Sequence, residues 1–292
     1  MRLGGPVFEA RIPGGECAGV DSNDPEAIAR AHRALGYKAA YAPGRLGPGE
    51  SDRIRAVREA FAKHDVIIAE TGVWNNLMEP DESKRKANLQ AVTEGLALAD
   101  ELGARCCVNI AGGFNADFWA GPNRRNFSRA AFDFAVENAR KIVDAVRPRT
   151  AKFTYEMMPH MLPDSADRYL KLIEAVDRPA FGVHLDIVNA VNSPDRAYDS
   201  ATIIKDCIEK LGRYVVSCHL KDIRLENDSV VRFKEVPLGE GDFDIGAYLR
   251  GIAGLPQQPP VMLEHLSTPA EYDRARTYAL QVARDLGLPF EA

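Results

Sequence analysis

The sequence predicts an α/β protein with a (β/α)8 TIM barrel, formed by a single domain that covers residues 1–292. Strand-like and helix-like runs alternate from end to end, which is the pattern of parallel strands joined by helical crossovers. The length of 292 residues lies just above the roughly 250 residues typical of such a barrel. A doubly wound open sheet is the alternative, but the first predicted strand is not followed by the glycine-rich phosphate loop of that fold.

Four strand–helix pairs are predicted in the first half of the chain. Asp24 is a suitable N-cap for the first helix, Pro25 suits its first position, and Gly36 ends it. Apolar residues recur at helical spacing along the third helix, which ends at Gly103. The predicted strands are 3–8, 38–42, 65–71 and 104–111, and the predicted helices are 24–35, 50–63, 80–102 and 128–146.

Four more pairs complete the predicted barrel. The strands are 152–156, 181–189, 214–223 and 260–266. The helices run from 164 or 165 to about 176, over 199–211, to about 252 in a short helix, and over 269–286. A polar excursion follows the seventh strand and leads to the loop 237–245. Because this loop lacks the Lys-Ser/Thr element of a phosphate-binding loop, we interpret it as a tight turn into a helix that Asp242 or Asp244 caps.

Composition limits the partners. The net charge of -5 and the lack of a long Lys/Arg block argue against nucleic acid. No apolar run suits a signal peptide or a bilayer span, so we expect a cytoplasmic protein without membrane contact. Five cysteines without C-x-x-C spacing indicate reduced, structural thiols: Cys17, Cys106, Cys107, Cys207 and Cys218.

The last four predicted strands each carry an ionisable residue near the carboxyl end, namely Glu156, Asp186, His219 and Glu264. Active sites of barrels lie at that end, and buried carboxylates are normally paired or bound to a metal. Each residue alone could be half of an ion pair, but four equivalent positions favour one shared divalent cation. The oxygen-rich set suits Mn2+, with Mg2+ or Co2+ also open, better than a thiolate-type zinc site.

The predicted activity follows from two of these ligands. Glu156 and Glu264 lie on strands across the barrel mouth and could remove a proton from one side of a carbon and return it to the other. The ion would polarise the adjacent carbonyl and hold the enediolate, as in a sugar isomerase or epimerase. One alternative is a lyase or dehydratase in which the same enediolate of a keto-sugar expels a β-substituent. Another is a barrel subunit that binds sugar without turnover; a homo-oligomer is left open.

Four strand residues are further candidates for substrate contact. Glu70 and Asn109 are the strongly polar residues of strands three and four and could bind sugar hydroxyls. His184 lies one step deeper than Asp186 and is expected to orient a ligand, with a satisfied core histidine or a direct ligand as alternatives. Lys221 could bind a substrate oxygen or neutralise the carboxylates, and the two roles are compatible.

Loop residues at the mouth complete the candidate site. Arg224, Asn189 and His160 each follow a proposed ligand by a few residues and could reach the substrate. Trp119 is a candidate stacking platform or lid for a sugar ring, and the alternative is a loop that packs on itself through its large aromatic side chain. Trp74 is a weaker version of the same case.

The second half of the chain resembles the xylose isomerase-like TIM barrel superfamily, the sugar phosphate isomerase/epimerase group that includes ketose 3-epimerases, inosose-processing enzymes and endonuclease IV. The matching pieces are Tyr155-Glu156, Leu185-Asp186, Cys218-His219-Leu220, the Gly239-Glu-Gly241 turn followed by Phe243-Asp244, and Leu263-Glu264. The first half matches only in the rhythm of strands and helices.

The resemblance implies a metal site formed by Glu156, Asp186, His219 and Glu264, in which Glu156 and Glu264 are the acid/base pair. Two positions depart from the ketose 3-epimerases. Asn189 stands where those enzymes usually carry a histidine, and His184 precedes the aspartate. A keto-sugar derivative, such as an oxidised glycoside or an inosose, is therefore open as substrate beside a free ketose.

Overall fold

A computed structural model describes residues 1–7, 23–44, 46–47, 49–288 and 290. The strands in this part of the chain are β1 (Leu3–Gly4), β2 (Ala39–Tyr41), β3 (Ile67–Gly72), β4 (Cys106–Asn109), β5 (Lys152–Glu156), β6 (Phe181–Leu185), β7 (Val215–Leu220), β8 (Asp222–Leu225), β9 (Phe233–Val236) and β10 (Val261–Leu263). Eight of them are parallel and close into a barrel in the order β1-β10-β7-β6-β5-β4-β3-β2, which confirms the predicted fold.

Helices cover the outside of the barrel, and their caps agree with the sequence. Asp24 accepts hydrogen bonds from the N–H groups of Glu26 and Ala27, and Asp244 rather than Asp242 caps the helix that follows the glycine turn. The helices are α1 (Pro25–Ala34), α2 (Ser51–Lys63), α3 (Glu82–Leu102), α4 (Arg129–Val146), α5 (Ala166–Val176), α6 (Pro194–Tyr198), α7 (Ser200–Leu211), α8 (Ile245–Ala253) and α9 (Pro269–Asp285), with short 3-10 turns at Arg124–Phe127, Val188–Ala190 and Gly212–Tyr214.

Alternation along the strands decides which side chains reach the barrel interior. In β5 the Tyr155 hydroxyl donates to the Ala135 carbonyl of α4 at 3.0 Å, so Tyr155 faces the helices. Its neighbour Glu156 therefore points into the barrel. The register of β5 and β6 places His184 opposite Glu156, on the same interior face.

The seventh strand ends earlier than predicted, at Leu220 rather than at position 223. The chain then leaves the barrel as β8, which pairs antiparallel with β9 to form a hairpin where the sequence indicated only a polar excursion. Buried Asp222 anchors the departure because its carboxylate accepts the N–H groups of Gly239 at 2.9 Å and Gly241 at 3.0 Å. A Cβ at Gly241 would lie 2.2 Å from Asp222 Oδ1, so only glycine fits there.

Other elements differ from prediction mainly at their ends. β1 covers only Leu3–Gly4, and Phe8, the last residue of its predicted range, lies outside the described residues. The short helix α6 was not predicted. Pro194 at its start and Ser193, which accepts the Arg196 N–H, are the local signals for it.

Two expectations from composition can be compared with the structure. The described cysteines Cys106, Cys107, Cys207 and Cys218 are buried free thiols, as expected, and Cys17 lies outside the described residues. In the part of the chain that the structure describes, no helix combines the length and the apolar character that a membrane span requires.

Candidate functional site

Four side chains meet at the carboxyl end of the barrel, as the sequence predicted. Glu156 ends β5, Asp186 directly follows β6, His219 lies in β7 and Glu264 directly follows β10. Their ligand atoms all lie within 4.8 Å of one another. The imidazole is central: its Nδ1 atom lies 3.4 Å from Glu156 Oε1 and 3.1 Å from Glu264 Oε2. The same atom lies 3.6 Å from Asp186 Oδ2.

The cluster has the properties of a divalent-cation site. Among the described residues, His219 Nδ1 and Glu264 Oε2 are buried atoms with no hydrogen-bond partner, which is unfavourable unless an ion completes them. Oxygen and nitrogen atoms 3.1–3.6 Å apart can share a small ion at about 2.1 Å. Three carboxylates against the ammonium of Lys221 leave two negative charges, which a divalent cation matches.

Lys221 belongs to the cluster as a counter-charge. Its Nζ atom lies 2.7 Å from Asp186 Oδ2 and 3.2 Å from Glu264 Oε2, and its side chain is 2% exposed. Burial lowers the pKa of Lys221, but the surrounding carboxylates outweigh burial and hold the pKa well above its usual value. Of the two roles expected for Lys221, neutralisation fits this position, whereas direct contact with a substrate in the cavity does not.

A second group of polar residues lies directly below. Glu70 is completely buried, and its Oε2 atom accepts from Ser217 Oγ at 2.8 Å and lies 2.9 Å from His184 Nε2. Its Oε1 atom lies 3.1 Å from His219 Nε2. Burial raises the pKa of Glu70, but the two imidazoles outweigh it and hold the pKa well below its usual range. A carboxylate at Nε2 orients the His219 ring so that Nδ1 faces the other ligands.

This arrangement corrects one expectation and refines another. Glu70 does not reach the cavity and so cannot contact a sugar hydroxyl there, contrary to the expectation from sequence. His184 is equally buried, and its Nε2 atom pairs with Glu70 rather than with Asp186. The orienting role expected for His184 therefore acts through Glu70 on His219.

A cavity of about 540 Å³ opens above the cluster, and Glu156, Glu264, Asn189, His160 and Trp119 are among its described lining residues. All five were among the residues expected at the site. The amide of Asn189 also bridges the ligands, because Nδ2 lies 3.1 Å from Asp186 Oδ2 and 3.4 Å from Glu156 Oε1.

Two other expected contacts lie away from the cavity. Asn109 is fully buried and its amide holds the loop after β3, accepting the Asn75 N–H at 2.7 Å and donating to the Asn75 carbonyl at 3.1 Å. Arg224 is an exposed residue of β8 whose guanidinium lies 3.3 Å from Glu226. Because the chain leaves the barrel after β7, Arg224 lines a neighbouring pocket, together with Glu235 and His265, instead of the cavity above the cluster.

Trp74 has a more direct role than the sequence indicated. Its indole Nε1 donates to Glu156 Oε2 at 2.9 Å, so it holds one oxygen of the carboxylate while the other faces His219. Trp74 has a left-handed backbone with φ of 46°. Its ring lies over Gly72, where a Cβ would be 1.8 Å from the indole. Glycine at that position makes the contact sterically possible.

The sequence did not single out one polar pair of the cavity. His265 Nδ1 lies 2.8 Å from Glu235 Oε2, and both residues line the cavity. Glu235 comes from β9, an element that was not predicted. The local signal for His265 was its position next to Glu264, but consecutive residues of an extended strand point in opposite directions. Only the left-handed backbone of His265, with φ of 57°, turns it into the cavity.

Comparison with solved structures supports the same fold. A 3-keto-D-glucoside 4-epimerase from E. coli matches with a TM-score of 0.67 and 14% identity over 97% of this chain and 100% of that chain. A xylose isomerase-like TIM barrel protein from Mycobacterium smegmatis in complex with magnesium has a TM-score of 0.64 and 19% identity, covering 97% and 96%. D-psicose 3-epimerase from Clostridium cellulolyticum H10, solved with D-tagatose, has a TM-score of 0.64 and 14% identity, covering 90% and 93%.

Sequence comparison gives the family. A search of curated proteins finds no significant match. The family model described as xylose isomerase-like TIM barrel matches residues 28–282, which is most of the chain and includes all four residues of the cluster. The protein therefore belongs to the xylose isomerase-like TIM barrel family.

Proposed function

We propose that the protein is a divalent-metal-dependent sugar isomerase or epimerase that removes a proton from a carbon next to a carbonyl. The observation that carries this proposal is the position of Glu156 and Glu264. Both carboxylates belong to the cation cluster and both line the cavity, on strands that β6 and β7 separate in the barrel. Two carboxylates that face one cavity from different strands suit removal of a proton on one side of a carbon and its return on the other.

The proposed ligands are Glu156, Asp186, His219 and Glu264, and the proposed ion is Mn2+, with Mg2+ or Co2+ as alternatives. A divalent ion bound there polarises the carbonyl of the substrate and thereby acidifies the neighbouring C–H group. The oxygen-rich donor set supports a hard cation.

The chain's own residues position the two carboxylates. Trp74 donates to one oxygen of Glu156 and so limits rotation of that carboxylate. Lys221 lies 3.2 Å from Glu264 Oε2 and offsets its charge from below. One glutamate accepts the proton from the substrate carbon, and the other donates a proton to the opposite face of the same carbon or to its neighbour. Asn189, His160 and Trp119 are proposed substrate contacts at the rim.

Exchange with solvent deuterium tests the proposal. Mn2+-loaded protein is incubated in D2O with a panel of ketoses and keto-glycosides, and the products are followed by NMR and mass spectrometry. Glu156→Gln and Glu264→Gln should each lower the rate of C–H exchange by about 10²–10⁴-fold, because a carboxamide cannot accept the proton.

Arg224→Ala is the matched control because Arg224 lies outside the cavity, and it should leave the exchange rate unchanged. Exchange that persists in both glutamine variants would exclude the two carboxylates as bases. Exchange accompanied by a product of lower mass than the substrate would assign elimination in place of isomerisation.

A further inference from the structure

The walls of the cavity carry an unusual distribution of charge for a sugar phosphate site. Three carboxylates, Glu156, Glu235 and Glu264, are among its lining residues, whereas no Lys or Arg is among the described residues that line it. Lys221 lies below and is already paired with carboxylates, and Arg224 and Lys234 line a neighbouring pocket instead of this cavity. A phosphate group is normally bound by cations in fixed geometry. A bound divalent cation would offset Glu156 and Glu264, and Glu235 pairs with His265, so what disfavours a phosphate-bearing substrate is the lack of Lys and Arg among the described lining residues.

The wall formed by the loop after β4 is apolar. Phe118 and Trp119 lie on this wall together with Ile110, Met158 and Pro159. The Phe118 side chain is 63% exposed, although large apolar residues normally avoid water. Hydroxyl groups of a free sugar would lose hydrogen bonds to water against this wall and find no partner. An apolar substituent would fit it.

Hydrogen bonds hold this wall in place. The side-chain oxygen of Asn115 accepts the N–H groups of Asp117 at 2.9 Å and Phe118 at 3.0 Å. The amide of buried Asn126 donates to the carbonyls of Gly121 and His160, which ties the loop to the segment after β5. Trp119 also packs against a small cluster formed by Ile110, Ala120 and Met161, separate from the main core. The apolar wall is thus formed before a ligand binds.

The polar pair Glu235–His265 lines the part of the cavity that is next to Glu264 of the metal cluster. Glu235 occupies Nδ1 of the imidazole, which leaves Nε2 available at 3.6 Å from Glu264 Oε2. Nε2 is therefore the ring atom able to bond a hydroxyl of a substrate whose reacting carbon lies at Glu264. The left-handed backbone at His265 is rare for residues with a side chain, and it is what directs the ring to this place.

We propose that the substrate is an uncharged keto-glycoside with an apolar aglycone. The sugar lies between the two glutamates and His265, and the aglycone lies against Phe118 and Trp119. A cavity of about 540 Å³ is within the range of about 300–1,000 Å³ that encloses ligands larger than a free hexose. The keto group in this inference rests on the proposed function, whereas the preference for an uncharged sugar with an apolar substituent rests on the walls alone.

The two tryptophans of the chain, Trp74 and Trp119, both line this cavity, so intrinsic fluorescence reports directly on ligand binding. The Mg2+-loaded protein is titrated with phenyl β-D-glucoside, methyl β-D-glucoside and methyl β-D-glucoside 6-phosphate. None of these probes has a carbonyl, so binding is measured without turnover. The phenyl glucoside should bind at least about 10-fold more tightly than the methyl glucoside, because its ring buries apolar surface. The phosphorylated glucoside should bind more weakly than either.

Variants separate the contribution of the apolar wall from that of His265, which is proposed to bind the sugar. Phe118→Ala should remove most of the advantage of the phenyl glucoside and leave the affinity for the methyl glucoside nearly unchanged; Phe118 is exposed, so this variant should fold. His265→Ala should weaken both glucosides by a similar factor. Lys234→Ala, on the neighbouring position of β9, is the control and should bind all three probes like the unmodified protein.

Equal affinity for the phenyl and methyl glucosides would overturn the inference, as would tighter binding of the phosphorylated probe or no binding of the phenyl glucoside. The proposed function fails separately, if no keto-sugar shows metal-dependent C–H exchange. Since the probes do not react, the two failures are distinguishable.

Discussion

Two layers of polar side chains meet at His219, and they differ in how completely their carboxylates are hydrogen-bonded. The upper layer consists of Glu156, Asp186 and Glu264 around Nδ1, and the lower layer consists of Glu70, His184 and Ser217 at Nε2. Both layers are built from similar residue types, and their members are buried or nearly so. In the lower layer both oxygens of Glu70 are bonded to neighbouring side chains, and the atom without a hydrogen-bond partner in the described part of the chain is Nδ1 of His184. In the upper layer the atoms without a hydrogen-bond partner among the described residues are Nδ1 of His219 and Oε2 of Glu264, and both belong to the group that could hold an ion.

This difference distinguishes residues that orient a ligand side chain from residues that bind the ion. A carboxylate bonded by three side chains is held in one position and is shielded from the cavity, so it can orient a neighbour but cannot bind a ligand. Buried polar atoms without partners are unfavourable in themselves, and where they lie among clustered carboxylates, as in the upper layer, they indicate a site that an ion completes. The same types of residue therefore serve two purposes, according to which of their atoms are already paired.

The largest effect is expected from removing the residue that the layers share. His219→Gln should lower the affinity for Mn2+ by more than about 100-fold, because it removes a ligand atom and also its link to Glu70. Isothermal titration calorimetry measures the affinity, and circular dichroism checks the fold. His160→Gln, an exposed histidine of the cavity rim, is the control. Binding of Mn2+ by His219→Gln at the original affinity would contradict the proposed site.

A smaller effect is expected from the lower layer alone. Glu70→Gln should weaken Mn2+ binding by about 10–100-fold, because a carboxamide no longer favours the ring orientation that turns Nδ1 of His219 to the cavity. Ser217→Ala removes only one hydrogen bond to Glu70 and should have a lesser effect. The visible absorption of the Co2+-loaded protein would report a changed ligand geometry. If Glu70→Gln binds Mn2+ like the unmodified protein, Glu70 serves stability alone.

The smallest effect is expected on stability, from a buried histidine outside both layers that has no carboxylate beside it. His32 packs near Phe61 and Tyr37, and its Nδ1 atom lies 2.9 Å from the Ile28 carbonyl. Burial lowers the pKa of His32 to about 4, whereas Glu264 and Glu70 overcome burial at His219 and hold its pKa well above the usual value. The comparison isolates the effect of the carboxylates on a buried imidazole.

The sign of the pH dependence follows from the lowered pKa. The unfolded chain binds a proton at His32 below about pH 6.5, and the folded chain does so only near pH 4. The contribution of neutral His32 to the free energy of unfolding is therefore complete above pH 6.5 and is lost as the pH falls towards 4. Between pH 8 and pH 5.5 the free energy of unfolding should fall by about 1.4 kcal/mol through this residue.

Urea unfolding of the unmodified protein and of His32→Gln at both pH values measures this contribution. The variant should lack this part of the pH dependence. An identical fall in both proteins would show that other groups cause the loss of stability in acid.

Some of these features could be read from residue order alone. Alternating strands and helices predicted the barrel, and the side chains at the carboxyl ends of four strands predicted that Glu156, Asp186, His219 and Glu264 would meet. Both inferences depend on local periodicity and on the rule that the carboxyl ends of parallel strands share one edge. The caps at Asp24 and Asp244 are local in the same sense, because each bonds backbone groups within three residues.

Other features depend on which side chains face one another across the barrel. Glu70 and Asn109 looked like equivalent hydroxyl-binding residues, yet one pairs with His184 and His219, 114 and 149 residues away, and the other holds a loop. Lys221 looked accessible because nothing in its own segment shows that carboxylates from β6 and β10 enclose it. No local pattern distinguishes these outcomes.

By itself the sequence determined the fold, the ends of the strands where chemistry collects and the four residues proposed to bind the ion. The tertiary structure decided the rest: the layer below His219, the departure of β8 that removes Arg224 from the mouth, and the turn that brings His265 to Glu235. The physical reason is that periodicity and capping act over a few residues, whereas pairing, burial and charge compensation depend on neighbours that only the closed barrel brings together.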